Sequence, residues 1–200
     1  MKMTVSEQCV KYEDVLPANQ NADIFALAIA SEASFLNSST YGDNKAPGST
    51  HSYRKSVTMK KGMFDSAKHI FEKLTNELLD EVCRGLGLEP FAIQEIELGM
   101  TAHNDGDYYL WHQDTYNQEV RPRVISFVYY FHKLPKPYSG GELAIYPKNL
   151  SPEVIVPQNN MMVFFRSGDL HEVRKIVNPG AAFENCRFSV HGFIRRKTEQ

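Results

Sequence analysis

Ile93-Gln94-Glu95-Ile96-Glu97-Leu98-Gly99-Met100-Thr101 is the stretch in which the hydrophobic period of this chain changes to two. Ile96, Leu98 and Met100 alternate with Glu97, Gly99 and Thr101, as a strand with one buried face requires. Further strands are expected at Tyr108-His112, Val124-His132, Leu143-Tyr146, Val154-Val156, Met161-Phe165, His171-Val177 and Arg187-Ile194. Asp105-Gly106, Ser139-Gly140-Gly141, Pro157-Gln158-Asn159-Asn160 and Asn178-Pro179-Gly180 punctuate them as turns.

Upstream of Ile93 the period is helical. Asn21-Ala22-Asp23 is expected to cap a helix running to about Phe35, with Ile24, Leu27, Ala28 and Phe35 on one face. A second helix carries Phe64, Ala67, Ile70, Phe71, Leu74, Leu78 and Val82 at spacings of three and four, with Gly85 and Gly87 as stop signals. Between them Asn37 to Ser52 is polar and rich in turn residues, an exposed segment and a candidate lid. Short strands following two helices, with no helix interleaved, exclude a doubly wound parallel sheet. They indicate a mainly β (α+β) fold, a sandwich or jelly roll with N-terminal helices packed on one face.

The chain has 200 residues, 42% of them apolar, which suits one domain: helical support over about 1–90 and a β core over about 91–196. A net charge of -2 provides no global attraction for phosphate and argues against nucleic acid as a partner. Three scattered cysteines, Cys9, Cys83 and Cys186, form no CxxC and fit a reducing compartment. The N-terminal residues lead into no apolar segment, and the run Ile24 to Ala30 is too short to span a bilayer, so a cytoplasmic protein without a membrane partner is expected.

Chemistry concentrates in Tyr108-Tyr109-Leu110-Trp111-His112-Gln113-Asp114. Residues two apart on a strand share a face, so His112 and Asp114 present an imidazole and a carboxylate together. That pair is too short a motif to stand alone. His171, opening a later strand after the polar turn Arg166-Ser167-Gly168-Asp169, is the candidate third ligand. Two neutral imidazoles and one carboxylate on one face of an octahedron suit non-haem Fe(II), with three positions left for oxygen and a chelating co-substrate. On the last strand Arg187 and Ser189 share a face, and an inward guanidinium requires an anionic partner, for which its planar fork fits a carboxylate. The rival for Arg187 is an ordinary exposed arginine.

Taken together, His112-x-Asp114, Tyr129-Tyr130, Ser139-Gly140-Gly141-Glu142-Leu143, His171-Glu172-Val173 and Arg187-x-Ser189 resemble the Fe(II)/2-oxoglutarate-dependent dioxygenases, in their prolyl-4-hydroxylase-like branch. The resemblance covers roughly residues 96 to 195. It implies a double-stranded β-helix with His112, Asp114 and His171 binding Fe(II). It also implies Arg187 on the distal carboxylate of 2-oxoglutarate, with Ser189 and the Tyr129 hydroxyl as neighbours. His103 stands where many relatives carry a tyrosine close to the co-substrate. Asn178 to Asn185 resembles an insertion between the third ligand and the arginine, which leaves Arg174 as second choice for the carboxylate. The implied reaction couples oxidative decarboxylation of 2-oxoglutarate by O2 to hydroxylation of a C–H bond, with ascorbate as a further candidate cofactor. Related halogenases replace the ligating carboxylate by a small residue, so Asp114 favours hydroxylation.

The implied substrate is a prolyl or other amino-acid residue, free, carrier-bound or within a peptide. Desaturation, cyclisation or demethylation of a small metabolite would use the same cofactors, and a non-enzymatic jelly-roll binding module would use none. Candidate substrate contacts are Arg54, Tyr109, Trp111, Arg123 and Glu142, with Tyr116 beside them. Arg54 is the first choice, on a strand that leads toward the site. Strand alternation turns Trp111 and Gln113 away from the metal.

Overall fold

The computed structural model describes residues 1–38, 53–115, 122–147 and 151–197. In chain order its elements are β1 (Lys2–Val5), β2 (Cys9–Glu13), α1 (Ala18–Ala30), β3 (Phe35–Asn37), β4 (Arg54–Lys55), β5 (Val57–Met59) and α2 (Asp65–Gly85). There follow β6 (Ile93–His103), β7 (Tyr108–His112), β8 (Arg123–Phe131), β9 (Ser139–Gly140), β10 (Leu143–Tyr146), β11 (Glu153–Ile155) and β12 (Met161–Arg166). The last are β13 (Leu170–Val173), β14 (Ile176–Val177) and β15 (Arg187–Arg196). Among the described residues, eight strands form a major sheet in the order β1-β2-β12-β8-β15-β6-β5-β3 and five a minor sheet in the order β11-β10-β13-β7-β4. All their pairings are antiparallel, the arrangement of a jelly roll.

Alternation assigns the two faces of the major sheet. Ile125, Phe127, Tyr129 and Phe131 of β8, with Phe188, Val190 and Ile194 of β15, point outward into a core closed by Ile24 and Ala28 of α1 and Phe71, Leu78 and Val82 of α2. Ser126, Val128 and Tyr130, with Arg187, Ser189, His191 and Phe193, point inward toward the minor sheet and line a cavity. A sheet buried on one face by helices and on the other by a second sheet can place polar groups only where partners exist. Here those groups line the cavity.

α2 ends as its glycines predict. Leu88 N donates to Cys83 O at 2.8 Å and Gly87 N to Arg84 O at 3.2 Å, a Schellman closure with Gly87 at φ 64. α1 differs from expectation: Pro17 occupies its N-cap position, and the helix stops at Ala30, leaving Phe35 on β3. Asn21 is not a cap because its Oδ1 takes the Tyr129 hydroxyl at 2.7 Å, a tertiary bond. The hairpin β1-β2, absent from the sequence reading, extends the major sheet through β2 against β12.

The strand expected over His171-Val177 is broken into β13 and β14. Arg174 N turns to Glu142 O at 2.9 Å while Ile176 pairs with Gly140. Gly140 must be glycine: its φ is 72 and a Cβ there would lie 2.2 Å from Lys175 O. Asn178, fully buried, ties this turn to Asn104 through Nδ2 at 2.6 Å, and Phe183 packs on Phe188 with centroids 5.2 Å apart. Among the described residues no helix is long and apolar enough to cross a membrane. Of the candidate lid, Asn37 ends β3 and Ser38 is half-buried, while residues 39–52, like Tyr116, lie outside the described residues.

Candidate active site

β7 and β13 pair with His112 directly opposite His171, which brings the two imidazoles together across the ladder. Their ring centroids are 4.2 Å apart. Asp114 lies just beyond the end of β7, anchored by its N–H on Ser167 O at 3.0 Å. His112 Nε2 stands 3.6 Å from Asp114 Oδ1, and His171 Nε2 stands 3.5 Å from Asp114 Oδ2. One ligand atom from each of the three residues lies within 4.8 Å of the others.

The donor chemistry fits a divalent metal. His112 Nδ1 bonds Leu110 O and His171 Nδ1 bonds Asp169 O, both at 2.8 Å. A carbonyl only accepts, so each Nδ1 carries the proton and each Nε2 lone pair faces Asp114. Burial first, and then the neighbouring His171, pushes the His112 pKa down to about 2, which keeps the ring neutral. Ser126 Oγ donates to Asp114 Oδ2 at 2.7 Å and holds the carboxylate in place.

The register between β7 and β13 shifts between His112 and Tyr109, with one extra residue on β7. This bulge puts Tyr109 and His112, three positions apart, on the same face, with their rings stacked at 3.6 Å and 17°. Trp111, 59% exposed, borders the cavity at its rim, and Gln113 lines it as well. The bulge interrupts strict alternation at Tyr109, while Trp111 and Gln113 are both exposed at the cavity's edge.

The same cavity, about 650 Å³, extends to Arg187, within the range of about 300–1,000 Å³ for small-molecule sites. Arg187 is 1% exposed, and no carboxylate among the described residues forms an ion pair with it. Its Nε donates to Gly141 O at 2.9 Å, and its guanidinium lies over the Tyr130 ring at 4.8 Å. Gly141 makes room for it: a Cβ there would lie 2.7 Å from Arg187 Cδ. His103 Nδ1 faces Arg187 Nη1 at 3.4 Å and must accept, since a guanidinium only donates. His103 Nε2 and the Tyr130 hydroxyl are buried without hydrogen-bond partners. Burial, reinforced by the Arg187 charge, holds His103 far below the usual imidazole pKa. A buried cation beside unpartnered polar atoms is a cradle for an anion. Ser189, 3% exposed, lines the cavity alongside.

Tyr129 is not part of this cradle. Its hydroxyl bonds Asn21 Oδ1 at 2.7 Å and Asn160 Oδ1 at 3.0 Å, and its ring lies in the outer core, 5.1 Å from Phe71. Tyr130 takes its place because Tyr130 pairs directly with the inward-facing Ser189. Arg174, 43% exposed, is bound to Glu172.

Of the candidate substrate contacts, Arg54, Tyr109, Trp111 and Arg123 line the cavity and Glu142 does not. Glu142 is carried off by the turn in which its carbonyl accepts from Arg174 N. β4 pairs Arg54 with Tyr109, and its guanidinium lies 4.9 Å from that ring. Arg123 is committed to Glu97 through Nε at 2.9 Å and through Nη2, lies 3.8 Å from the Phe193 ring, and reaches Asp114 O with Nη1 at 3.3 Å. It therefore braces the Asp114 turn. Sequence reasoning missed Ser126 and His191; His191 extends the Arg187, Ser189 alternation by one step.

Residues 98–195 match the 2OG-Fe(II) oxygenase superfamily. An uncharacterized PKHD-type hydroxylase of Synechocystis sp. is 34% identical over 194 residues, covering 92% of this chain and 62% of the relative. The chain thus spans less than two thirds of that relative's length. A prolyl-4-hydroxylase of Pseudomonas putida superposes with a TM-score of 0.67 at 18% identity, covering 96% of this chain and 95% of the other. A prolyl hydroxylase of Trichoplax adhaerens, solved with a hypoxia inducible factor peptide fragment, gives 0.72 at 15% identity, covering 96% and 84%. At these identities the two structures establish the shared fold.

Proposed function

Because residues 98–195 match the 2OG-Fe(II) oxygenase superfamily, we propose that the chain belongs to it and is a hydroxylase acting on a prolyl or other amino-acid residue, free, carrier-bound or within a peptide. The observation that carries this reading is one cavity holding both His112, Asp114 and His171 at ligand distances and the buried, unpaired Arg187. The Synechocystis relative, a PKHD-type hydroxylase by name, supports hydroxylation, and the peptide bound to the Trichoplax enzyme supports the substrate class.

In this reading His112 Nε2, His171 Nε2 and an Asp114 oxygen hold Fe(II). The bound Fe(II), with 2-oxoglutarate and O2, supplies the oxidising chemistry that couples release of succinate and CO2 to C–H hydroxylation. The chain supplies position. Leu110 O and Asp169 O fix the imidazole tautomers, Ser126 fixes Asp114, and Arg187 takes the distal carboxylate of 2-oxoglutarate with Ser189, Tyr130 and the His103 Nε2–H beside it. Phe165, Leu143 and Val128 wall the cavity against bulk water.

We read residues 1–200 as one such unit in a reducing, cytoplasmic compartment, where three buried free thiols persist. The test is a screen of free amino acids and proline-containing peptides for succinate release, with the mass change of each product measured. A gain of about 16 Da supports hydroxylation. A loss of about 2 Da or of a methyl group moves the assignment to desaturation or demethylation, and no Fe(II)-dependent succinate with any member rejects it.

A further inference from the structure

His191 lies on the inward face of β15, two residues beyond Ser189, and none of the roles above uses it. It retains partial exposure to the cavity. Its Nδ1 is 3.2 Å from Thr101 Oγ1, where the donor depends on the tautomer. A closed ring of hydrogen bonds decides which nitrogen carries the proton.

Arg54 can only donate: Nε gives to Ser56 Oγ at 2.8 Å and Nη2 to Thr101 Oγ1 at 3.1 Å. Ser56 Oγ donates to Ser38 Oγ at 2.8 Å. Ser38, having accepted, directs its own proton to Thr58 Oγ1 at 2.7 Å, and Thr58 directs its proton to Thr101 Oγ1 at 3.4 Å. Thr101 is then left with one acceptor, His191 Nδ1. Were Thr101 to donate to Thr58 instead, the proton of Ser38 or of Thr58, both half-buried, would have no acceptor among the described side chains. With every hydroxyl of the ring donating within it, the proton of neutral His191 sits on Nε2.

That edge of the ring lies over Gly99, where an added Cβ would come within 2.8 Å of both Cε1 and Nε2. Burial, with the charges of Arg54 and Arg123, pushes the His191 pKa down to about 3, so the ring stays a neutral donor. Among the described residues Asp114, already engaged by Ser126, is the one carboxylate lining the cavity, against Arg54, Arg123 and Arg187.

Building on the hydroxylase reading, we propose that His191 determines substrate specificity: its Nε2–H, held in that tautomer by Thr101, donates to a carboxylate or carbonyl oxygen of the substrate. The oxygen belongs either to a free amino acid or to the backbone of a peptide, and a substrate without such an acceptor leaves this donor desolvated and unpaired.

The test uses the full chain labelled with ¹⁵N-histidine and loaded with Zn(II) and 2-oxoglutarate, so no turnover is needed. Long-range ¹H–¹⁵N spectra, with His191→Gln to assign the signal, are expected to show the Nε2–H tautomer; the Nδ1–H tautomer overturns the proposal. Free amino acids, their N-acetyl amides and the corresponding acceptor-free amines are then titrated in. The His191 Nε2–H resonance is expected to shift with a member of one of the first two sets, which identifies the source of the oxygen, and not with its amine. His191→Phe should weaken that member about tenfold, and His191→Gln, which keeps an N–H, should hold it within about threefold. Equal shifts with the amine, no shift with any compound, or undiminished binding by His191→Phe would each overturn it. Because binding is read without turnover, a failed succinate screen would count against the oxygenase reading and leave this result to be judged separately.

Discussion

Arg187→Met separates a binding residue from a structural one, because the two roles predict opposite signs. A fully buried ion without a counter-ion costs several kcal/mol after relaxation, and methionine of similar length removes that cost. Against it stand the lost bond to Gly141 O, about 1 kcal/mol, and the lost contact with the Tyr130 ring, about 1 kcal/mol. The net expectation is a metal-free protein more stable by about 1–3 kcal/mol, or about 3–10 °C in Tm for a chain of this length. Binding should move the other way: losing the partner of a buried carboxylate costs about 2–5 kcal/mol, a factor of about 30 to several thousand in Kd. Thermal melts of the metal-free protein measure the first quantity, and anaerobic calorimetry of 2-oxoglutarate with the Mn(II)-loaded protein measures the second. A Tm lowered by about 5 °C or more with an unchanged Kd would refute the reasoning and make Arg187 a residue of the fold.

His112→Ala and Asp114→Ala should each abolish Fe(II)-dependent succinate release while circular dichroism stays unchanged; full activity in either would remove the metal assignment. Ser126→Ala should lower Co(II) or Mn(II) affinity by about tenfold in calorimetry, since the hydroxyl orients the ligating carboxylate, and equal affinity would show Asp114 needs no such brace. His103, His112 and His191 have folded pKa values below the ordinary imidazole value, so below about pH 6.5 the unfolded chain binds protons that the native protein does not. Stability of the metal-free protein should therefore fall as pH is lowered, by about 1.4 kcal/mol per unit for each of these groups, and a flat denaturation midpoint from pH 7 to 5 would contradict it. Gly192→Ala should destabilise by about 2 kcal/mol or more in urea melts, because the added Cβ would lie 2.4 Å from Phe127 Cζ and 2.7 Å from Glu97 O; an unchanged midpoint would mean this packing relaxes freely.

The parts of this protein legible in its sequence are those governed by one segment's own geometry. Period-two alternation alone puts Arg187 with Ser189, and Glu97 with Gly99 and Thr101, on a common face. Period 3.6 with two trailing glycines is enough for α2, whose end depends on the left-handed conformation of Gly87. The hairpin β1-β2 stayed hidden because β2 is buried on both faces, Cys9 in one apolar cluster and Val10 and Tyr12 in the other, so its residues show no clean alternation.

What only the tertiary structure decided is register, because the pairing of strands far apart in the chain depends on both partners. Whether Tyr129 or Tyr130 meets Arg187 follows from Tyr130 lying opposite Ser189, and nothing within Val124-His132 contains that fact. His171 meets His112 through the β7-β13 ladder, and the bulge that turns Tyr109 onto the His112 ring arises because two strands of different local length must match there. Asn21 reads as a helix cap and acts as a partner of Tyr129, since a buried hydroxyl arriving from β8 outweighs the local preference. The sequence by itself determined which side chains can share a face; folding determined which faces meet, because that choice rests on contacts between residues the chain separates by tens of positions.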